Sequence, residues 1–233
     1  MNRGASRYTR YSLINVSLIA LILLLYIAIT SPHIQTVMGS MYDRPFYRGT
    51  QKNKIAIQCA VSWNASALGR ILDDLKENGC RITFCVSGEW AEKNKALILR
   101  MVDEGHEIAT MGMRPFEDGN VSFIADDITQ SLQCISDACG VTPKLYYSGT
   151  RKLSASSKAA SKLNIAHVLC TVDLLSARGT SDEILKRALD SSKEGNIILI
   201  EPTAGAADAL AKILQAYMQK GLKVTGTSDI LGL

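Results

Sequence analysis

Residues 54–64 read KIAIQCAVSWN, a short apolar run that ends in a polar turn. A run this rich in β-forming residues, followed at once by an amphipathic segment, is typical of the first strand of a parallel α/β domain. In such domains the functional side chains lie just past the carboxyl end of the strand. Here that end offers only Ala60, Val61 and Ser62. Either the chemistry of the domain is missing, or it has moved to another position.

Strand-like and helix-like segments alternate through the rest of the chain. Apolar residues recur at helical spacing between short β-forming runs, and glycines end several of the helices. Seven strands that alternate with helices require right-handed crossovers and a parallel sheet. This pattern fits either an open doubly wound sheet or an incomplete β/α barrel. The predicted strands are 55–61, 81–87, 106–109, 144–147, 167–172, 196–200 and 222–225.

The predicted helices define the loops between strands and helices, where a functional site could lie. One helix is predicted to end after residue 78, one spans the region of 91–102, and one covers about 124–135. Three more are predicted near 154–163, 182–192 and 206–220. In either fold the site forms at the carboxyl ends of the strands. The corresponding loops lie near Ala60, Thr110, Ser148, Asp173 and Glu201.

The beginning of the chain predicts a membrane anchor. Residues 1–10 carry three arginines and no acid, and the apolar segment 11–30 has about the 20 residues that span a bilayer. The arginines predict a cytoplasmic N-terminus and an exported remainder. A cleaved signal peptide is the alternative. We therefore expect a single-pass protein of the cell membrane, held in the lipid bilayer, with a linker at 31–53 and an extracytoplasmic domain at 54–233.

The charge balance argues against nucleic-acid binding. The chain has 26 basic and 22 acidic residues, which gives a formal net charge of +4. Arg3, Arg7 and Arg10 supply three of these charges, so the domain itself is nearly neutral. Such a domain lacks the basic surface that a phosphate backbone requires. We expect no nucleic-acid partner.

Six cysteines in an exported domain raise the question of disulfides. No two of them form a Cys-x-x-Cys pair, which argues against a zinc knuckle. Cys59, Cys85 and Cys170 fall in predicted buried strands, where a thiol packs as a small apolar group. Cys134 and Cys139 lie five residues apart on one predicted helix and point in different directions. Buried free thiols are therefore expected in preference to a disulfide framework.

Several short motifs run in order through the predicted domain. They are Val61-Ser62-Trp63, ITFCVSG at 82–88, GHEI at 105–108, TVD at 171–173 and GNIIL at 195–199. With these motifs the chain from Phe46 onward resembles the polysaccharide deacetylase family, that is, the NodB-homology domain or carbohydrate esterase family four. Its membrane-anchored sporulation-type subgroup is the most similar. The resemblance implies a distorted (β/α)7 barrel with a groove for a glycan chain, and it makes His106 structural.

The resemblance also implies a set of catalytic positions. In that family one Asp and two His hold a divalent metal, usually zinc, whose bound water attacks the N-acetyl group of a sugar. A second Asp acts as the base and a late His as the acid. The resemblance puts the base at Ala60, the metal ligands at Val61, Met111 and Pro115, a catalytic Arg at Tyr147, an Asp-Trp pair at Ser176 and Ala177, and the acid at Glu201.

None of these positions keeps the residue of the family. A methyl, an isopropyl and a pyrrolidine ring cannot coordinate zinc, and a thioether is a poor zinc ligand. We therefore predict no bound cofactor and a catalytically inactive homologue. Its expected role is binding or scaffolding at the cell wall, and the similar subgroup suggests a connection with sporulation.

Aromatic and polar residues near the mouth of the barrel predict a groove for cell-wall glycan. Aromatic rings could stack on sugar faces, and charged side chains could bind hydroxyls. Alternatively, the aromatic residues only fill the mouth of the barrel. For Trp90, contact with a glycan is less expected than for Trp63 and Tyr147. Arg114 is a further candidate for hydroxyl binding. The predicted groove consists of Trp63, Tyr146, Tyr147, Arg151 and Glu201.

Two other functions compete with this prediction. An active N-deacetylase of peptidoglycan or chitooligosaccharides would need displaced ligands, for which Asp118, Asp173, Glu201 and His106 are the candidates. His167 begins the predicted fifth strand and is expected at the opposite, amino-terminal end of the sheet. A structural partner of other membrane proteins, with no affinity for glycan, is the third possibility.

Overall fold

The computed structural model describes residues 15–24, 44–61 and 65–233. The chain divides into two compact units, Met1–Met41 and Tyr42–Leu233. In the first unit residues 15–24 form a helix with exposed side chains. No helix within the described residues is both long enough and apolar enough to cross a membrane. Much of the predicted segment 11–30 lies outside the described residues, so the anchor stays a prediction.

Eight parallel strands form the sheet of the second unit. They are β1 Lys54–Val61, β2 Thr83–Val86, β3 Glu107–Thr110, β4 Leu145–Tyr147, β5 Ala166–Val168, β6 Val172–Asp173, β7 Ile197–Ile200 and β8 Lys223–Thr225. Their order is β5-β4-β3-β2-β1-β7-β6, and β8 pairs with β1. The predicted parallel sheet is confirmed, but the predicted count of seven strands is wrong. The predicted strand 167–172 is two strands, because the chain pairs with β4 up to Val168 and then crosses to β7.

The longest strand, β1, is the centre of the sheet. It pairs with β2 and β7, and its first residues also pair with β8. The sheet curls into a half-barrel. Its concave side holds an apolar cluster drawn almost entirely from strand residues, and its convex side is packed against helices. The curl favours the predicted incomplete barrel over the open doubly wound sheet.

Eight helices are described in this unit. They are α1 Leu68–Glu77, α2 Gly88–Lys93, α3 Lys95–Asp103, α4 Val121–Cys139, α5 Leu153–Lys162, α6 Ser181–Asp190, α7 Ala204–Gln219 and α8 Thr227–Leu231. The single helix predicted around 91–102 is two helices, because Asn94 leaves helical geometry with a φ of −127°. The short helix α8 was not predicted.

Part of the predicted linker pairs with the sheet. We call Phe46–Gly49 the N-terminal strap. The amide of Phe46 donates to the carbonyl of His167 (2.8 Å), and the amide of Gly49 donates to the carbonyl of Gly195 (2.8 Å). A Cβ on Gly49 would lie 2.4 Å from the carbonyl oxygen of Ile230, so only glycine fits there. The strap therefore connects β5 with the segment that precedes β7.

Two histidines are buried in this fold. His167 lies in the middle of β5 beside Tyr146, so its predicted place at the amino-terminal end of the sheet is wrong. Its Nε2 and Nδ1 contact the hydroxyls of Ser148 (2.9 Å) and Ser157 (3.1 Å). His106 precedes β3 and stacks edge-on against Phe84. Both imidazoles thus belong to the packing of the domain.

The two histidines should make the domain less stable in acid. Burial lowers the pKa of His106 and of His167 from 6.5 to about 4. The unfolded chain therefore binds more protons between these values, so stability is complete above pH 6.5 and is lost as the pH falls toward 4. We expect each histidine to contribute up to about 3 kcal/mol to this loss.

Urea unfolding between pH 4.5 and 7 measures this effect. The variant His167→Gln should show a weaker dependence of unfolding free energy on pH than the wild-type chain. The control is His33→Gln in the predicted linker, which should leave the dependence unchanged. An equally steep dependence in His167→Gln would show that His167 protonates alike in the folded and unfolded states.

Candidate functional site

The concave side of the half-barrel is apolar where the carboxyl ends of the strands meet. Ala60, Met111 and Tyr147 belong to one buried cluster there, together with Cys85 and Leu199. These residues come from β1, β2, β4, β7 and the loop after β3. Three of the positions that the resemblance assigns to catalysis thus lie side by side, and they fill the mouth with apolar groups.

The side chains of Ala60 and Val61, at the carboxyl end of β1, lie on opposite faces of the sheet. Successive side chains of a strand point to opposite faces of its sheet. Ala60 lies in the concave cluster, whereas Val61 is fully buried in the core between the sheet and the helices. Ser62, Trp63 and Asn64 lie outside the described residues. A ligand at Val61 would therefore have to leave the helix-facing core to reach the mouth.

The loop after β3 carries Met111 and Pro115, and a buried ion pair supports it. Arg151 Nη2 lies 2.6 Å from Asp127 Oδ2, and both side chains are at most 2% exposed. The Asp127 carboxylate accepts the amides of Met113 (3.0 Å) and Arg114 (3.1 Å). The guanidinium of Arg151 donates to the carbonyls of Arg114 and Glu117. The ion pair thus binds both backbone amides and backbone carbonyls of the loop.

Gly112 lets this loop approach the ion pair. Its φ of +87° is in the left-handed region, and a Cβ there would lie 2.2 Å from Asp127 Oδ2. Glycine alone combines this backbone conformation with so close a contact. The conformation of the loop is therefore fixed by Gly112, Asp127 and Arg151 together.

Tyr147, Asp173 and Glu201 share the polar side of the mouth. Burial raises the pKa of Tyr147, and Cys170, Cys85, Asp173 and Glu201 raise it further. Burial and then Asp173 raise the pKa of the half-buried Glu201, whereas Arg178 lowers it. Asp173 pairs with Leu199, two residues before Glu201, so the two carboxylates lie at the ends of neighbouring strands. The site offers one phenol and two carboxylates beside an apolar wall.

Ser176 holds the loop that bears Glu201. Its hydroxyl accepts the amide of Glu201 (2.7 Å), and its carbonyl accepts the hydroxyl of Thr203 (2.9 Å). Ser176 is buried, whereas its neighbour Ala177 is exposed. Ser176 therefore positions Glu201, although its own side chain is turned away from solvent.

The sequence of this chain matches a known protein family. A family model described as polysaccharide deacetylase matches residues 49–168, which is just over half of the chain. The chain belongs to the polysaccharide deacetylase family. It is 25% identical over 203 residues to the uncharacterised protein YlxY of Bacillus subtilis, covering 83% of this chain and 62% of that protein. It is 29% identical over 166 residues to a peptidoglycan-N-acetylglucosamine deacetylase of Bacillus cereus, covering 66% and 59%.

Solved structures share the fold of this deacetylase-family chain. A pseudoenzyme of carbohydrate esterase family four from Bacillus anthracis superposes with a TM-score of 0.77 at 24% identity, over 82% of this chain and 70% of that one. A mutant of the same pseudoenzyme with restored enzymatic activity gives 0.78 at 22%, over 82% and 72%. PdaA of Bacillus subtilis, a family four carbohydrate esterase, gives 0.72 at 19%, over 82% and 86%. The chain spans about three fifths of the length of the two curated relatives.

The residues at the metal positions of the family do not fit zinc. Val61 faces the helix-side core, Met111 offers only a thioether inside an apolar cluster, and Pro115 has no donor atom. Zinc in proteins is held by imidazole, thiolate or carboxylate. Among the described residues, no group of three or more His, Cys, Asp or Glu is arranged to hold a metal ion. The side chains at these three positions therefore cannot hold zinc at the mouth.

The predicted groove residues are divided between the mouth and the interior. Tyr147 and Glu201 lie at the mouth. Tyr146 is fully buried on the helix side, where it stacks on His167 at 5.3 Å, and Arg151 is committed to Asp127 and the loop carbonyls. Trp63 lies outside the described residues, so its place in the groove stays a prediction. The structure brings together Tyr147 and Glu201, but it does not bring Tyr146 and Arg151 to them.

Trp90 and Arg114 occupy different environments. Trp90 is 4% exposed and packs in the helix-side core, so it neither lines the predicted groove nor fills the mouth. Arg114 is exposed and pairs with Glu117 at 3.5 Å. Arg114 alone of these two therefore remains available to a ligand.

The candidates for displaced ligands do not converge as a group. Asp173 and Glu201 are neighbours at the mouth. Asp118 is exposed and faces Lys152 at 3.9 Å, and His106 lies at the amino-terminal start of β3. The four residues are thus divided between the two ends of the sheet and a surface loop.

The sequence missed Asp127 and the role of Ser176, which the resemblance named only as the position of an Asp. Asp127 was not recognised as buried, although it falls at helical spacing from the apolar Ile124. A charged residue on an apolar stripe is a signal for a buried ion pair. Ser176 gave no comparable signal, because its role depends on a backbone amide that comes from another strand.

Proposed function

We propose that this chain is a non-catalytic polysaccharide deacetylase homologue that binds cell-wall glycan. The observation that carries the proposal is the apolar filling of the mouth. Ala60 replaces the base, Met111 and Pro115 replace the two histidines, and Tyr147 closes the same cluster. Water activation and proton transfer both lose their groups, and each of these is worth orders of magnitude in rate.

The relatives support a glycan as the ligand. The curated relative from Bacillus cereus is named for its action on peptidoglycan, and the pseudoenzyme from Bacillus anthracis has the same fold as this chain. The proposed contacts are Tyr147 and Glu201 at the mouth, with Trp63 as the stacking residue. Half-buried Glu201 can accept hydrogen bonds from sugar hydroxyls. A glycan would thus bind on the rim of the filled mouth.

We further propose that the protein acts at the outer face of the cell membrane. The basic segment 1–10 and the apolar segment 11–30 support an anchor, and the glycan proposed as ligand lies outside the membrane. The proposed partners are therefore the lipid bilayer, wall glycan and other membrane proteins. A role in sporulation rests on the resemblance to the sporulation-type subgroup.

An assay of acetate release tests the absence of catalysis. We expect the purified full chain to release no acetate from acetylated peptidoglycan fragments or chitooligosaccharides, with or without added zinc. Metal analysis should find no stoichiometric zinc. Stoichiometric metal together with metal-dependent release of acetate would overturn the proposal in favour of an active N-deacetylase.

Sedimentation with insoluble peptidoglycan tests the binding role. We expect the wild-type chain to sediment saturably and the double variant Trp63→Ala, Tyr147→Ala to bind about tenfold more weakly, which corresponds to about 1.4 kcal/mol. Because Tyr147 is buried, the single variants Trp63→Ala and Glu201→Gln provide a second measurement on folded protein. Leu99→Ala, an exposed apolar residue on α3, is the control. Equal retention of all variants would contradict the proposed contacts.

One observation favours catalysis with displaced ligands as a second candidate function. Asp173 and Glu201 are close enough that Asp173 raises the pKa of Glu201, as expected for two carboxylates that share a site. An N-deacetylase with displaced ligands would have to use this pair. The variant Glu201→Gln would then abolish any acetate release, whereas under the proposed function it changes only glycan binding.

A further inference from the structure

A cavity of about 310 Å³ lies at the end of the half-barrel opposite the mouth. It forms where α1 and α3 end and where β2 and β3 begin. Leu75, Lys76, Arg81, Glu104 and His106 are among the residues that line it. No part of this cavity belongs to the glycan groove proposed above. A single water occupies only about 30 Å³, so the cavity is large enough for a small organic molecule.

The hydrogen bonds of His106 define its tautomer. Its Nδ1 accepts the amide of Ile82 at 3.3 Å, so Nδ1 carries a lone pair. The proton of the neutral ring is therefore on Nε2. The side chain is 1% exposed, and Nε2 has no hydrogen-bond partner among the described residues. The wall of the cavity thus holds a buried donor that lacks an acceptor.

Glu104 supplies the complementary acceptor. Its Oε1 receives the Nε–H of Arg100 at 2.9 Å and lies 3.9 Å from Lys76 Nζ. Its Oε2 is buried, has no hydrogen-bond partner among the described residues, and lies 3.9 Å from His106 Nε2. This separation is too long for a direct hydrogen bond. A donor and an acceptor therefore face each other across a gap that neither closes.

The gap fits one O–H group, either that of a water molecule or that of a ligand hydroxyl. One oxygen placed about 2.8 Å from both atoms could accept the Nε2–H and donate its own hydrogen to Oε2. A transition metal would need the lone pair of Nε2, which this tautomer does not offer. A fully ionised anion could accept the Nε2–H but has no hydrogen to donate to Glu104 Oε2. Only a group that both donates and accepts satisfies the two atoms.

We propose that this cavity binds a small polyhydroxylated molecule, of the sugar or polyol class, through one hydroxyl held between His106 and Glu104. The exposed Lys76 and Arg81 at the rim offer donors to its other hydroxyls. The Glu104 side chain is only 15% exposed and Oε2 is buried, so the carboxylate has to rotate to admit the hydroxyl; its hydrogen bond to Arg100 is made through Oε1 alone.

Ligand-observed saturation-transfer NMR on the purified full chain tests this proposal. The probes are N-acetylglucosamine and myo-inositol, each titrated into the millimolar range. We expect saturable transfer with the wild-type chain and at least about tenfold weaker binding with Glu104→Gln. Arg100 would hold the amide oxygen of the new side chain, so its NH₂ group would face the Nε2–H and leave two donors opposed. Asp137→Asn, an exposed carboxylate on α4, is the matched control and should bind as the wild type does.

A rim variant keeps the test decisive if Glu104→Gln does not fold. Arg81→Ala changes an exposed side chain and should weaken binding about threefold. Absence of saturable transfer from both probes would show that the cavity takes only water. Equal binding by the wild type and Glu104→Gln would show that the probe binds away from Glu104; either result overturns the proposal. Loss of binding in Trp63→Ala instead would place the probe at the mouth and overturn the proposal.

Discussion

Replacing Arg151 with Met should lower the free energy of unfolding by about 3–5 kcal/mol. The substitution leaves Asp127 as a buried carboxylate with no cation beside it. Removal of one partner of a buried ion pair is costly because the remaining charge stays desolvated. The carbonyls of Arg114 and Glu117 also lose their donors. The loop that bears Met111 and Pro115 would therefore lose its support along with the domain's stability.

Urea unfolding of the full chain, followed by circular dichroism, measures this effect. The matched control is Arg114→Met, which removes an exposed arginine of the same loop whose pair with Glu117 is 3.5 Å long. Exposed pairs contribute about 0–1 kcal/mol, so the control should change little. The double variant Asp127→Asn, Arg151→Met should recover part of the loss, because no unpaired charge remains. Equal stabilities of Arg151→Met and Arg114→Met would show that the ion pair is not desolvated as the structure indicates.

The strand pattern was sufficient to predict the parallel sheet. β1 coincides with the run at 55–61, since a strand buried on both faces needs a continuous apolar sequence. Three of the family motifs located the mouth as well, because they end at or just after the carboxyl ends of β1, β2 and β6. Local sequence carries these features, so they could be found without the structure.

The remaining features depend on contacts between distant segments. The run 167–172 looks like one strand, and its division into β5 and β6 depends on pairing with β4 and β7. Tyr146 and Tyr147 are adjacent aromatic residues, yet the alternation of the strand sends one to the helix side and the other to the mouth. Arg151 resembles a groove residue until its partner Asp127, 24 residues earlier, is seen. Composition and spacing hold no information on such partners.

An aspartate at Ala60, the position that the resemblance assigns to the catalytic base, should destabilise this protein. We expect Ala60→Asp to lower the free energy of unfolding at pH 7 by about 2–4 kcal/mol, because Ala60 is 8% exposed among apolar neighbours. Burial and the nearby Glu201 would raise the pKa of the new carboxyl above its unfolded value of about 3.9. The cost of its charge is therefore absent below about pH 4, grows as the pH rises and becomes constant above the folded pKa. Added zinc should not recover the loss, since Val61, Met111 and Pro115 offer no zinc ligand.

The control for this experiment is Ala177→Asp, which places the same carboxyl on an exposed position of the loop after β6. Its unfolding free energy should follow that of the wild-type chain at every pH. Urea unfolding at pH 4, 5.5 and 7, with and without zinc, separates the outcomes. Recovery of stability by zinc in Ala60→Asp would mean that a metal site survives at the mouth, and the proposal of a non-catalytic protein would then fail. A loss that grows with pH and ignores zinc would instead show that the mouth now packs as a core, in which the residues of an active site are no longer tolerated.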